Sequence, residues 1–199
     1  MPRYFNKFPK LIYKNGDSAT IVTNLLTRID TIRENLNNSS LFYLYNIQEG
    51  DTPEIVASKY YNDPELHWIV MVVNEIYDPF YDWPMTYSQF ESFIVNKYGS
   101  VAAAKSATHH YEKIIESNDG FNTTRKVYEV DLETFNNTPD SSVTRTFPNG
   151  SSVTVTTTKR AVDFYDYEEE LNESKREIKL IRADLIPDIK KQFEFLMSR

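Results

Sequence analysis

Residues 41–60 read LFYLYNIQEGDTPEIVASKY, and this stretch decides the fold prediction. The aromatic and aliphatic run over residues 41–47 predicts a buried β-strand. Gly50 and Asp51 then predict a turn, and either Asp51 or Thr52 is suited to cap a helix that has Pro53 in its first turn. The stretch therefore predicts a strand that leads directly into an α-helix.

The residues that follow predict a second helix. Asn62-Asp63-Pro64 interrupts the first helix and is suited to cap another, whose apolar residues extend to Val73. Asn74 lies at the end of this second helix. The next segment, Tyr77-Asp78-Pro79-Phe80-Tyr81-Asp82-Trp83-Pro84, contains too much proline for regular structure. A further helix is then predicted to end at Gly99.

Residues 1–42 predict an N-terminal arm and a short helix. The arm is basic and aromatic, and the turn signal Asn15-Gly16-Asp17 closes it. Six apolar residues at helical spacing then predict the helix: Ile21, Val22, Leu25, Leu26, Ile29 and Ile32. Because an arm with so few apolar residues does not fold alone, we expect it to pack on the next segment or on a partner.

Residues 100–160 predict a β-rich insertion. The β-branched runs at residues 142–147 and 152–156 flank Pro148-Asn149-Gly150, a pattern typical of an exposed or docked β-hairpin. Residues 161–199 predict a C-terminal helical segment that includes a short strand near Ile178. The overall prediction is an α+β fold in four parts: the arm and short helix at 1–42, a central domain with a following helix at 43–99, the β-rich insertion at 100–160 and the helical segment at 161–199.

The composition excludes several classes of protein. The net charge of −7 argues against nucleic acid as the main partner, because phosphate binding needs clustered Lys and Arg. No cysteine is present, so folding in a reducing cytoplasm is the simplest expectation. The first residues lack the apolar run of a signal peptide, and no stretch approaches the ~20 apolar residues of a membrane span. Aromatic residues make up 14% of the chain, and such side chains are enriched at protein interfaces.

The sequence contains no recognisable catalytic or metal-binding motif. His67, His109 and His110 are the only histidines, and no H-E-x-x-H pattern surrounds them. Asp78 and Asp82 resemble a glycosidase carboxylate pair in type only, since sequence does not give their separation. We therefore expect no enzymatic activity, no cofactor and no metal.

Nine residues between 45 and 74 resemble the LysM module, a βααβ unit of about fifty residues. They are Tyr45, Ile47, Gly50, Asp51, Thr52, Ile55, Ala57, Trp68 and Asn74. In this reading Gly50-Asp51-Thr52 forms the turn from strand to helix, and Ile55 and Ala57 pack the first helix on the sheet. LysM modules bind N-acetylglucosamine polymers, so a peptidoglycan- or chitin-binding module is the alternative function.

The wider pattern resembles a more specific family. The arm precedes Asn24-Leu25-Leu26-Thr27-Arg28, the central segment contains Tyr60-Tyr61-Asn62-Asp63-Pro64, and a tail runs from Tyr167 to Lys179. Together with residues 74–84 these are similar to the LysM-containing baseplate wedge protein of contractile-tailed, T4-like bacteriophages. The resemblance covers most of residues 20–98 and 161–199, and it is weakest over residues 115–160.

This resemblance implies a structural subunit of a phage tail baseplate wedge. Such a subunit joins neighbouring wedge proteins and promotes baseplate assembly around the central hub, in several symmetry-related copies. It implies a location in the virion tail after synthesis in the host cytoplasm, and contacts with wedge and hub-proximal proteins instead of nucleic acid or membrane. The candidate aromatic anchors are Tyr77, Phe80, Tyr81 and Trp83, for each of which core packing is the alternative role.

Overall fold

The computed structural model describes residues 8–16, 18–24 and 39–197. Its strands are β1 (Lys10–Asn15), β2 (Ser18–Thr23), β3 (Phe42–Asn46), β4 (Thr108–Asn118), β5 (Thr123–Val130), β6 (Ser141–Thr146), β7 (Ser152–Asp163) and β8 (Glu177–Ile181). Its α-helices are α1 (Pro53–Tyr61), α2 (His67–Val73), α3 (Tyr87–Tyr98), α4 (Val101–Ser106), α5 (Leu132–Asn137), α6 (Phe164–Ser174) and α7 (Ile186–Met197). This mixture of helices and strands confirms the α+β class.

The chain divides into two compact units. Unit 1 comprises residues 1–86 and 174–199, and unit 2 comprises residues 87–173. In sequence, unit 2 is therefore an insertion within unit 1. The four-part division from the sequence stays a prediction.

Unit 1 is built on a strand pair whose members lie far apart in sequence. β3 pairs antiparallel with β8, with Tyr45 opposite Ile178 and Tyr43 opposite Leu180. Helices α1 and α2 follow β3, so that two helices and two strands form one βααβ arrangement around a common core. The residues that are most deeply buried in this core are Ile47, Val56, Ala57, Ile69, Val70 and Leu180.

The last helix belongs to the same unit. The 3₁₀ turn Ala183–Leu185 precedes α7, and the rings of Phe193 and Trp68 lie 4.7 Å apart. Phe8 and Met197 are buried beside Phe193. The predicted C-terminal helical segment thus contains α7, whose apolar side packs within unit 1.

The prediction of a helix that includes Ile21 and Val22 is wrong. Both residues lie in β2, which pairs antiparallel with β1, and Ile12 lies opposite Ile21. The predicted turn at Gly16 has φ +61, a conformation that glycine adopts without strain, and it reverses the chain into a hairpin. The run from Thr20 to Thr23 is β-branched and therefore favours a strand once this turn provides a partner. The remainder of the predicted helix, residues 25–38, lies outside the described residues.

Unit 2 contains an antiparallel sheet of four strands in the order β5-β4-β7-β6. The predicted hairpin is confirmed, because β6 and β7 pair across residues 147–151 with Thr144 opposite Thr154. Helix α5, between β5 and β6, was not predicted; Asp131 caps it through the Thr134 N–H. The buried residues of this unit include Phe90, Ile94, Ala104, Ile114, Val162 and Tyr165.

Within the described ranges, no helix combines the length and the apolar character that crossing a membrane requires.

Candidate protein-interaction site

The turn between β3 and α1 is held together by the carboxylate of Asp51. One oxygen accepts hydrogen bonds from the Tyr45 hydroxyl at 2.6 Å and from the Gln48 N–H at 3.2 Å. The other accepts from the Lys59 ammonium at 2.6 Å. Because Asp51 is only 8% exposed, this negative charge requires such partners to remain buried. The predicted turn residue is thus the centre of an internal ionic contact.

The pKa values of this cluster follow from burial and hydrogen bonding. Burial by itself would raise the pKa of the Asp51 carboxyl, but the hydrogen bonds from Lys59, Tyr45 and Gln48 outweigh it and hold the pKa below its usual range. Burial and the hydrogen bond to the Asp51 carboxylate raise the pKa of Tyr45 to about 12. At neutral pH the cluster therefore consists of an ionised aspartate and a neutral tyrosine.

Of the two predicted capping residues, Asp51 and Thr52, it is Thr52 that caps helix α1. Its side chain accepts from the Ile55 N–H at 3.4 Å, while Asp51 faces the cluster just described. The prediction that Ile55 packs α1 on the sheet is wrong, because Ile55 is 41% exposed. Val56 is fully buried in its place, and the predicted Ala57 lies beside it in the core. The buried residues of α1 are Pro53, Val56 and Ala57, and Ile55 lies outside this set because its side chain points about 100° away from that of Val56.

Asn74 joins the end of α2 to β8. Its amide nitrogen donates to the carbonyls of Val70 and Lys179, both at 2.8 Å, and its side-chain oxygen accepts from the Lys179 N–H at 2.7 Å. The Lys179 backbone is therefore bonded on the side of β8 that faces away from β3. Asn74 occupies this strand edge in the way a neighbouring strand would.

Two aspartates shape the proline-containing loop that carries the candidate anchors. Asp82 accepts from the N–H groups of Tyr77 at 3.0 Å and Asp78 at 2.9 Å, and Asp78 accepts from the Phe80 N–H at 2.9 Å. These backbone hydrogen bonds hold the pKa of Asp82 below its usual range. Both carboxylates are thus occupied in fixing the loop by side-chain-to-backbone bonds.

The loop separates the four candidate anchors into two groups. Tyr77, Phe80 and Tyr81 are 76%, 83% and 69% exposed. Trp83 is 7% exposed, and its indole N–H donates to the Asp51 carbonyl at 2.8 Å. Trp83 therefore takes the core role that was its alternative, and it fastens the loop to the turn before α1. The other three aromatic side chains of this loop are exposed.

The contacts of His109 and His110 do not resemble those of metal ligands. His109 stacks on Tyr167 at 3.8 Å, and His110 lies 3.3 Å from a Glu112 oxygen. Over residues 8–16, 18–24 and 39–197, no group of three or more His, Asp or Glu side chains is arranged to hold a metal ion.

Comparison with known proteins supplies the family. The family described as Base plate wedge protein 53 matches residues 5–194, nearly the whole chain. The chain belongs to this family. A segment of 65 residues is also 29% identical to Baseplate wedge protein gp53 of Enterobacteria phage T4, and it covers 33% of each of the two chains.

Membership in the Base plate wedge protein 53 family indicates a structural role in a phage tail baseplate. The predicted family is thus confirmed at the level of a baseplate wedge protein. The family is not known for enzymatic activity. The likeness of residues 43–75 to a LysM module stays a prediction.

Two features of this family member were missed by the sequence reasoning. Lys59 completes the Asp51 cluster from the last turn of α1, and the Tyr61 hydroxyl donates to the Ile181 carbonyl at 3.0 Å. Lys59 lies eight positions after Asp51. This spacing by itself does not predict a contact, because the contact depends on the geometry of both the turn and the helix. The sequence feature that could have predicted this contact is an acidic residue in the turn, Asp51, followed by a helix that carries one cationic residue, Lys59.

Proposed function

We propose that this chain joins neighbouring baseplate wedge proteins and promotes assembly of the baseplate around its hub. The single observation that carries this proposal is the surface formed by Tyr77, Phe80 and Tyr81, whose exposed fractions range from 69% to 83%. Large aromatic side chains are the commonest energetic anchors of protein interfaces. A loop already fixed by Asp78 and Asp82 loses little conformational entropy when a partner covers it.

The βααβ arrangement of unit 1 serves in this proposal as a LysM-like scaffold for protein binding. It supplies a rigid base, since Trp83 ties the aromatic loop to the Asp51 turn and Asn74 ties α2 to β8. The aromatic loop then presents its three rings to wedge and hub-proximal neighbours. Several copies would act in this way in one symmetric baseplate.

Glycan binding by the same unit has less support. A cleft of about 330 Å³ lies beside Asn74, but none of its eight lining residues is aromatic. Small-molecule sites usually combine aromatic walls with a few polar groups. Calorimetric titration of the folded chain with N-acetylglucosamine oligomers tests this alternative, and saturable heat would favour it over protein binding.

The proposal is tested by two single variants in the phage, Phe80→Ala and Phe121→Ala. Both remove an exposed phenylalanine ring, 83% exposed in unit 1 and 96% exposed in unit 2. We expect Phe80→Ala to reduce incorporation of the chain into purified baseplates roughly tenfold, as for an anchor worth more than about 1 kcal/mol. Phe121→Ala is expected to leave incorporation near the wild-type level.

Incorporation is measured by quantitative mass spectrometry of baseplates, and circular dichroism of the free variants checks their fold. Equal incorporation of both variants would contradict the role of the aromatic loop. Absence of the wild-type chain from purified baseplates would contradict the proposal as a whole.

A further inference from the structure

The two faces of the sheet in unit 2 differ in chemistry. Side chains alternate between the faces along each strand, and the strand register aligns residues of one face across the sheet. Tyr111 and Lys159 mark one face, because both contact Phe135 of α5. Farther along the strands, the members of this face, termed here the cationic face, are Lys113, Ile115, Lys126, Tyr128, Val143, Arg145, Val153 and Val155.

The opposite face contains the buried side chains of Glu112, Ile114 and Val162, and its charged groups are paired. Glu112 pairs with Arg160 at 3.0 Å, and Glu116 lies 3.6 Å from Arg125 directly across the strand pair. Beyond these charges, facing hydroxyl groups form a ladder, in which Thr144 and Thr154 lie 2.9 Å apart. Only the part of this face around Glu116, Arg125 and the threonine ladder is typical of a sheet face that stays in contact with water.

On the cationic face, no acidic side chains neutralise the positive charges. From Tyr111 to Ser117 on β4, and on the residues paired across the sheet from that stretch, this face carries no Asp or Glu. Among the described residues, Lys113, Lys126 and Arg145 have no carboxylate within ion-pair distance. Three uncompensated cations on one face are notable in a chain whose net charge is −7.

Apolar side chains lie between these cations. Tyr128 is 47% exposed and Val143 is 53% exposed, while Ile115, Val153 and Val155 are half-buried. The aliphatic stems of the lysines extend this apolar surface beneath their charged ends. A face of this composition resembles the core of an interface with charges at its margin.

We propose that the cationic face binds a neighbouring baseplate protein through a surface that presents carboxylates around apolar side chains. The charge complementarity identifies the chemistry of the partner, since a basic face is matched by an acidic one. The apolar residues favour a protein over a nucleic acid, whose binding depends on dense phosphate contacts. This inference rests on the proposed function and adds a second interaction surface, in unit 2.

Zero-length carbodiimide crosslinking of purified wild-type baseplates tests the proposal directly, because the reagent joins a lysine to a carboxylate that already touches it. We expect Lys113 and Lys126 to be joined to Asp or Glu residues of one other baseplate protein. Lys191 of α7, which lies 3.6 Å from the Asp188 carboxylate, serves as the internal control for reagent access through the link between these two residues. Links from Lys113 and Lys126 only to a second copy of this chain, or none from either while Lys191 reacts, would overturn the inference.

A matched pair of triple variants provides the second measurement. K113Q/K126Q/R145Q removes three positive charges from the cationic face, and T144E/T156E/T158E adds three negative charges to the opposite face, so both variants have the same net charge. We expect the first to reduce incorporation into baseplates at least roughly tenfold relative to the second. Equal incorporation of the two variants, with the circular dichroism of both unchanged, would overturn the inference.

The two measurements separate this inference from the proposed function. If the wild-type chain is present in baseplates but its cationic face is neither crosslinked nor sensitive to substitution, only the inference about unit 2 fails. If the chain is absent from baseplates, the proposed function itself fails. Release of the chain from baseplates by nuclease treatment would assign the cationic face to nucleic acid and overturn the protein partner.

Discussion

Unit 1 and unit 2 stabilise their strands in different ways. In unit 1, the β3–β8 pair packs on an apolar core, with Ile178 and Leu180 of β8 at 3% and 1% exposed. In unit 2, every residue of β6 is exposed, and facing threonines contact each other across the strands. The β3–β8 pair of unit 1 therefore depends on deep burial of a few side chains, whereas the distal part of the unit 2 sheet depends on backbone pairing and turns.

The difference indicates different roles for the two units: unit 1 holds its aromatic loop on a buried core, and unit 2 presents an exposed sheet surface. Apolar core contacts and the Asp51 cluster hold the aromatic loop of unit 1 in place, while long half-exposed strands give unit 2 a broad face. The two tryptophans of the chain, Trp68 and Trp83, both lie in unit 1. Tryptophan fluorescence thus reports on unit 1 alone, and circular dichroism reports on both units, so the two can be followed separately.

The largest effect is expected from Leu180→Ala. This side chain is 1% exposed in the core of unit 1, and such truncations remove about 2–5 kcal/mol from the free energy of unfolding. The matched control is Leu44→Ala, because Leu44 lies on β3 of the same strand pair but is 67% exposed. Denaturant titration followed by tryptophan fluorescence measures both, and similar losses would mean that β8 does not complete the core.

A smaller effect is expected from Asp51→Asn, which removes the ionic contact with Lys59. Hydrogen bonds to a charged group contribute about 1.5–3 kcal/mol, so we expect a loss in that range at neutral pH. Because the pKa of Asp51 is lower in the folded state than the ordinary value of 3.8, its ionisation stabilises unit 1 above that pH. The stabilisation decreases as the pH falls below 3.8 toward the folded pKa.

The free energy difference between wild type and Asp51→Asn should therefore shrink in acid. Fluorescence-monitored unfolding between pH 7 and roughly pH 3 measures this trend. Asp140→Asn, at an exposed aspartate of unit 2, is the control and should leave unit 1 unaffected at every pH. A constant difference across the range would show that Asp51 is not ionised in a paired state.

The smallest effect is expected from Gly150→Ala in the turn of the β6–β7 hairpin. Gly150 has φ +84, and a side chain in this region costs about 1 kcal/mol. Amide hydrogen exchange of β6 should become faster, while the tryptophan-monitored transition of unit 1 stays unchanged. Ser152→Ala, at an exposed position of β7, is the control. A shift of the unit 1 transition would show that the two units unfold together.

Local patterns in the sequence predicted individual elements well. The aromatic run before Gly50 became the strand β3, the capped segments became α1 and α2, and Pro148-Asn149-Gly150 became a hairpin turn. These succeeded because caps, turns and side-chain periodicity act over a few residues. The prediction that the strand β3 is buried is wrong, because Tyr43 and Leu44 are 57% and 67% exposed. The segment at Ile21 and Val22 failed, since its apolar spacing fitted a helix while its strand partner, β1, lay across a turn.

The sequence by itself determined the α+β class, the order of most elements and the resemblance to the wedge family. Only the tertiary structure decided that β3 pairs with β8 across more than a hundred intervening residues, that Trp83 is buried while Phe80 is exposed, and that Lys113, Lys126 and Arg145 share one face. The physical reason is that burial and pairing depend on contacts between distant segments. Closing even a long loop costs little additional free energy, so spacing along the chain does not reveal which strands will meet.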